Sequence, residues 1–226
     1  MKNRILPSLV ARFGVLPILL ASAFVLDAPA APAAAKKGKA PDTGWVSLFN
    51  GKDLTGWVKV GEESWVVENG TIHGKGITKN YGYLRTEKKY RDFQLAIRFK
   101  CEADGNSGVF FRAEFQPDSV RLAHGLQFEI ARLIGYHTGG VVGDQRGWLV
   151  WPAAENELVL RPNDWNEFLL RVEGNRYVSR LNGVPMVDFT DPAPVSFDGH
   201  IALQLHSGGQ GEMRFKDIYI RDLSKR

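Results

Sequence analysis

Three short segments of the chain place long hydrogen-bonding side chains on alternate positions. In "SGVFFRAEF" (107–115), Phe110, Arg112 and Glu114 alternate with Val109, Phe111, Ala113 and Phe115. In "HGLQFEIARL" (124–133), Gln127 and Glu129 alternate with Leu126, Phe128 and Ile130, and in "HIALQLH" (200–206), Gln204 and His206 alternate with Ile201, Leu203 and Leu205. A β-strand sends successive side chains to opposite faces, so each segment would bury its apolar set and present its polar set. Water-facing sheet surfaces tend towards Lys, Ser, Thr and mixed charge. Here the presented set is a guanidinium, two amides, two carboxylates and an imidazole, with Phe110 among them. A carboxylate and an imidazole can move protons, and amides can hold hydroxyl groups. The combination reads as a working surface.

Several familiar chemistries lack their residues. Retaining glycosidases need two carboxylates about 5–5.5 Å apart, which an i, i+4 pair on one strand would approach. Four residues before Glu129 stands Gly125 and four after it stands Leu133, so ordinary two-carboxylate hydrolysis is disfavoured. No serine sits in a strand-turn-helix elbow, and Cys101 falls on the apolar side of a strand. The five histidines, at 73, 124, 137, 200 and 206, include no close ligand pair, so no cofactor is expected, although a metal ion is not excluded. "EADGN" (102–106) reads as a turn rather than a Ca²⁺ loop.

The elements that must position these residues are short. "FQLAIRFKC" alternates with Phe93, Leu95, Ile97, Phe99 and Cys101 on one face. Asn69-Gly70, Gly174-Asn175 and Asn182-Gly183 sit between apolar runs, where tight hairpins need residues that tolerate positive φ. Residues 165–189 read as three consecutive strands and 200–223 as two more. About a dozen strands without a repeat period predict an all-β, two-sheet antiparallel sandwich. The longest irregular region, 134–162, holds "GYHTGGVVGDQRGWLVWP", whose Tyr136 and Trp148 could stack on sugar rings or close the sandwich edge.

The 226-residue chain opens on Lys2, Arg4 and Arg12, then "FGVLPILLASAFVL" (13–26) and "DAPAAPAAA". A basic start, a short apolar run and small-residue cleavage points predict a signal peptide over 1–35, with "KKGKAPDTG" (36–44) as linker and 45–226 as one domain. With one cysteine, placed inside the domain, no intrachain disulfide or lipid anchor is expected, so export would lead to the periplasm or beyond. Removing 1–35 lowers the formal charge from +4 to +2. That near balance gives no reason to expect nucleic acid or a membrane surface as partner.

The strings "SLFNGKDLTGW" (47–57), "WVVENG" (65–70), "YLRTEKKYRDFQL" (83–95), "GNSGVFFR" (105–112), "TGGVVG" (138–143), "NDWNEFLLRVEGNRYVSRLNG" (163–183) and "IALQLHSGG" followed by "MRFKDIYIRDL" resemble, in order, the 3-keto-disaccharide hydrolase family. The resemblance implies a concanavalin A-like (jelly-roll) sandwich that cleaves sugars oxidised to a ketone at carbon 3, as a 3-keto-glycoside lyase, or hydrates the glycal product. A 3-keto group acidifies the hydrogen on carbon 2, so one base and an enolate stabiliser suffice to expel the oxygen on carbon 1.

On this reading Glu129 is the base. Arg112 and His206 stabilise the enolate or protonate the leaving oxygen, and Gln127, Gln204, Phe110, Asn106, Tyr136 and Trp148 bind an oligosaccharide or glycoside. Relatives usually carry the glutamate first and the glutamine two residues later, "G-x-E-x-Q-I-x-D"; this chain has Gln127 first and Glu129 second, with Arg132 where an aspartate often stands. A non-catalytic carbohydrate-binding module would use the same surface.

Overall fold

The computed structural model describes residues 44–224 except 104, 144, 195 and 207. The signal peptide expected over 1–35, and the linker apart from its last residue, lie outside the described residues. Fifteen strands and a single helical turn follow Gly44: β1 (Val46–Ser47), β2 (Trp57–Val60), β3 (Ser64–Glu68), β4 (Thr71–Thr78), β5 (Gly82–Tyr90), β6 (Phe93–Ala103), β7 (Ser107–Phe115), β8 (Leu122–Ile130), β9 (Val141–Gly143), β10 (Gly147–Val150), α1 (Ala154–Glu157), β11 (Asn166–Glu173), β12 (Arg176–Leu181), β13 (Val184–Thr190), β14 (Gly199–Leu205) and β15 (Gly209–Asp222).

They form two antiparallel sheets. The front sheet runs β10, β9, β8, β7, β14, β5, β2; the back sheet runs β13, β12, β11, β6, β15, β4, β3, with β1 beside β15. The Asn-Gly pairs make the expected hairpins, with φ of +51° at Asn69 and +50° at Asn182. The irregular stretch at 134–162 contains more order than expected. Its chain supplies β9 and β10, which extend the front sheet past β8, and then α1.

The core lies between the sheets and obeys the two-residue period. Leu95, Ile97 and Phe99 of the back sheet face Leu126, Phe128, Ile201 and Leu203 of the front sheet, all essentially inaccessible to water. Phe111 stacks on Phe128 with centroids 4.9 Å apart. Burying a side chain of this size stabilises the fold by about 1.5–3 kcal/mol, so register is strongly fixed. Cys101 is part of this core, and burial pushes its thiol up to about 12, as expected of packing rather than nucleophilic chemistry.

The period is broken in β7 at the position that matters most for the candidate surface. Phe111 pairs with Leu126 and Glu114 with His124, so Arg112 and Ala113 stand opposite the single residue Gly125. This bulge puts Arg112 at φ +53° and points it inward beside Phe111, while Ala113 turns outward. The expectation that Arg112 shares a face with Phe110 is therefore wrong, and so is the placing of Ala113 and Phe115 in the main core. Both instead pack with Phe110 on the outer face.

Arg112 is 1 % exposed. Its Nη1 donates to Tyr177 Oη (2.9 Å), its Nη2 donates to the Gly174 carbonyl, and Asp92 lies 3.9 Å away. The guanidinium thus bolts the front sheet to the β11–β12 turn of the back sheet. Tyr177 donates onward to Asp191, which Arg146 clamps with two bonds of 2.7 and 2.9 Å.

Gly199 is the other half of the bulge, since a Cβ there would sit 2.3 Å from the Arg112 carbonyl carbon. Gly199→Ala is therefore expected to lower the unfolding free energy by about 3 kcal/mol or more. Arg112→Met, which strands the polar partners of a buried cation, should cost a similar amount, about 3 kcal/mol. Urea unfolding followed by tryptophan fluorescence measures both.

Candidate functional site

The outer face of the front sheet carries a cleft of about 430 Å³ walled by β5, β7, β8, β9, β10 and β14. Glu129, Gln127, Gln204, His206, Phe110, Asn106 and Trp148, all named from the sequence, line it together. Arg112 does not, because the bulge turns it inward. Tyr136 does not either. It is 61 % exposed and borders an adjoining depression that shares only Asn106 with the cleft.

Glu129 is anchored from both ends. Its backbone N–H donates to the Gly140 carbonyl (3.0 Å) and its carbonyl accepts from the Gly139 N–H (2.9 Å), so the "TGG" turn straps the strand that carries it. Thr138 completes the strap with hydroxyl bonds to the Ala131 backbone. Gly139 holds φ +93° beneath Met186, with no room for a Cβ.

The Glu129 carboxylate is 6 % exposed and accepts from Asn106 Nδ2 (2.9 Å) and Gln127 Nε2 (2.6 Å). Gln127 can reach it because the residue paired with Glu129 across the ladder is Gly108; a Cβ there would lie 2.5 Å from the Gln127 amide. Burial raises the Glu129 carboxyl to about 8, and the two amide donors hold it below what burial alone would impose.

Gln204 projects from β14 beside this group, and its Oε1, like Asn106 Oδ1, is buried without a hydrogen-bond partner. An unpaired buried acceptor costs roughly 1–3 kcal/mol. Sugar hydroxyls are donors that would satisfy both. His206 follows directly on β14; its backbone N–H donates to the Asn106 carbonyl (3.3 Å), and its ring meets the Tyr81 ring edge-on at 5.0 Å.

Trp148 forms the far rim. It packs edge-on against His137 (5.2 Å), whose Nδ1 lies 2.9 Å from the buried Glu157; that carboxylate also accepts the Gly135 and His137 N–H groups.

Sequence reasoning missed Tyr81, Tyr83 and Gln145. Tyr83 pairs with Gln204 across the ladder and shares its face. The alternation of Tyr83 and Arg85 with buried Leu84 and Thr86 was a usable signal. Tyr81 and Gln145 lie in turns, where no periodicity marks them.

A separate polar cluster occupies the back sheet. Donor atoms of His73, Glu102 and Glu212 lie within 4.8 Å of one another, a spacing compatible with a metal ion. Lys100 and Arg214 already bind Glu102, while Glu68 and Glu212 bracket the imidazole. These residues form a connected network of ion pairs and hydrogen bonds, on the sheet away from the cleft.

Comparison with known proteins agrees with this architecture. A candidate glycosyl hydrolase from Parabacteroides distasonis superposes with a TM-score of 0.63 at 24% identity, over 80% of this chain and 94% of that one. A carbohydrate binding module from Bacillus subtilis superposes at 0.54 and 14% identity, over 74% and 96%. These two matches establish the lectin-like sandwich fold. A 3-keto-disaccharide hydrolase of Bacteroides thetaiotaomicron is 30% identical over a segment spanning 31% of this chain and 28% of that protein's length. The model of the 3-keto-alpha-glucoside-1,2-lyase-like domain matches residues 44–221, nearly all of the described chain, and the protein belongs to that family.

Proposed function

We propose that the protein cleaves 3-keto-glycosides by elimination, with Glu129 as the base. The observation that carries this reading is the Glu129 carboxyl, buried, raised to about 8 and the one carboxyl among the described residues of a sugar-sized cleft lined with amides. Glu129 removes the proton from carbon 2, and the electron pair of that C–H bond delocalises onto the 3-keto oxygen as an enolate. Collapse of the enolate forms the C1–C2 double bond and breaks the bond from carbon 1 to the glycosidic oxygen. His206, on the wall of the same cleft, protonates that oxygen as it leaves. With Arg112 inside the sandwich, stabilisation of the enolate falls to the Asn106 and Gln204 amides and to His206. The leader-like residues 1–35 support placing the activity outside the cytoplasm.

One feature favours sugar binding without cleavage: both Glu129 oxygens are engaged by amides. A base must exchange one of these bonds for the substrate hydrogen, whereas a lectin would keep both.

Purified protein is expected to release free sugar from a 3-keto-disaccharide, with kcat/KM rising about tenfold per pH unit towards a plateau above about 8. Glu129→Gln should lower the rate by about 10²–10⁴-fold while retaining sugar binding. Binding by the wild type without any release selects the lectin reading.

Stability supplies an independent check. A carboxyl whose folded pKa is raised contributes stability that is present below its unfolded value and lost as pH rises towards the folded value. Between pH 4.5 and about 8 the wild type should therefore lose a few kcal/mol relative to Glu129→Gln, read as diverging urea midpoints.

A further inference from the structure

The same outer face carries a second hollow, of about 490 Å³, that the proposed chemistry does not use. On β5, Tyr83 opens into the Glu129 cleft, whereas Arg85, two residues and about 7 Å further along, opens into the second hollow. On β14, Gln204 and His200 divide in the same way. Between the two lies an apolar saddle of Tyr83, Phe110, Ala113, Leu122 and Ala202, flanked by Val60 and Phe115, which also line the second hollow. Two polar hollows joined by an apolar saddle suit a ligand longer than one sugar ring.

The charges in the second hollow are unevenly matched. Glu114 lines it, but its carboxylate is bound to Lys89, while Lys59 and Asp118 stand exposed at the rim. Arg85 is partly buried; Nη1 donates to the Thr86 carbonyl (3.2 Å) and lies 3.5 Å from both ring nitrogens of His200. Among the described residues Arg85 makes no ion pair. His200 is itself only 7 % exposed, a buried imidazole held against a cation.

An anion placed here would accept from the free guanidinium N–H groups and from the imidazole, relieving the conflict between them. A carboxylate matches the planar fork of arginine best. We propose that this hollow is a subsite for the carboxylate of an acidic sugar, so that the natural ligand is an oligosaccharide bearing a uronic acid beyond the ring held at Glu129. The placing of the reacting ring rests on the function proposed above; the acid subsite itself does not depend on turnover.

The subsite should also sense pH. Burial and then the Arg85 charge hold the His200 pKa below the usual histidine value; Lys89 acts in the same direction, and the Thr86 carbonyl and Glu114 oppose it. A bound carboxylate favours the protonated ring, so its binding strengthens as pH falls.

Calorimetric titration of the whole protein with cellobiose and with cellobiouronic acid, its glucuronate-ended counterpart, tests the assignment. The acid is expected to bind about tenfold more tightly at pH 5, with a smaller advantage at pH 8. Arg85→Gln should abolish the preference and leave cellobiose affinity unchanged, and Arg85→Lys, which keeps the charge without the fork, should retain part of it. Equal binding of the two sugars, binding of neither, or a preference that survives Arg85→Gln overturns the proposal. An acid preference in a protein that releases nothing from a 3-keto-disaccharide overturns the lyase reading and leaves the subsite standing.

Discussion

The bulge at Arg112 and Ala113 decides what the front sheet can be used for. A strand that kept strict alternation through β7 would present Arg112 outward, next to Phe110, and bury Ala113. One additional residue reverses both. The inward arginine then ties the two sheets together through Tyr177 and the Gly174 carbonyl, and the outward alanine supplies part of the apolar saddle that separates the two hollows. Packing between sheets and the shape of the ligand surface therefore follow from the same local geometry. Gly125 and Gly199 accept it from either side, since a larger residue at 199 would meet the Arg112 backbone.

This also explains which parts of the molecule were legible in the sequence. Strands with one face in the core advertise themselves, because burying Leu126, Phe128 and Ile130 requires an apolar residue at every second place, and Gln127 and Glu129 are then forced to the other face. The Asn-Gly turns were legible for a similar reason, since few other residues hold positive φ at low cost. The bulge was not. "FFRAEF" contains apolar residues on both faces, so inserting one residue breaks no visible pattern, and only the pairing with β8 and the tight approach of Gly199 identify it.

The cleft followed the same rule. Glu129, Gln127, Gln204, His206 and Phe110 were found because they alternate with core residues, and Trp148 because aromatic residues are conspicuous in a long loop. Tyr81 and Gln145 reach the cleft from turns, where position depends on the path of the whole chain. Even the "TGG" turn, quoted as part of a family resemblance, acquires its physical meaning only from its two backbone bonds to Glu129.

Glu129 is held in a balance that its proposed use as a base requires. Burial alone would keep the carboxyl neutral, and a neutral acid cannot accept a proton; full solvation would return it to an ordinary carboxylate, too weak a base for a carbon acid. The Asn106 and Gln127 amides oppose the effect of burial and leave the group titrating at about 8, close enough to neutrality for both forms to be populated. Those amides are fixed in turn. Asn106 is joined through its carbonyl to the His206 N–H, and Gln127 lies over Gly108 with a second bond to the Ser107 carbonyl. Exchanging the order of glutamine and glutamate along β8 would move the carboxyl about 7 Å along the strand, away from Asn106 and out of this balance. The order found here is therefore matched to the rest of the cleft, because the groups that tune the carboxyl converge on position 129.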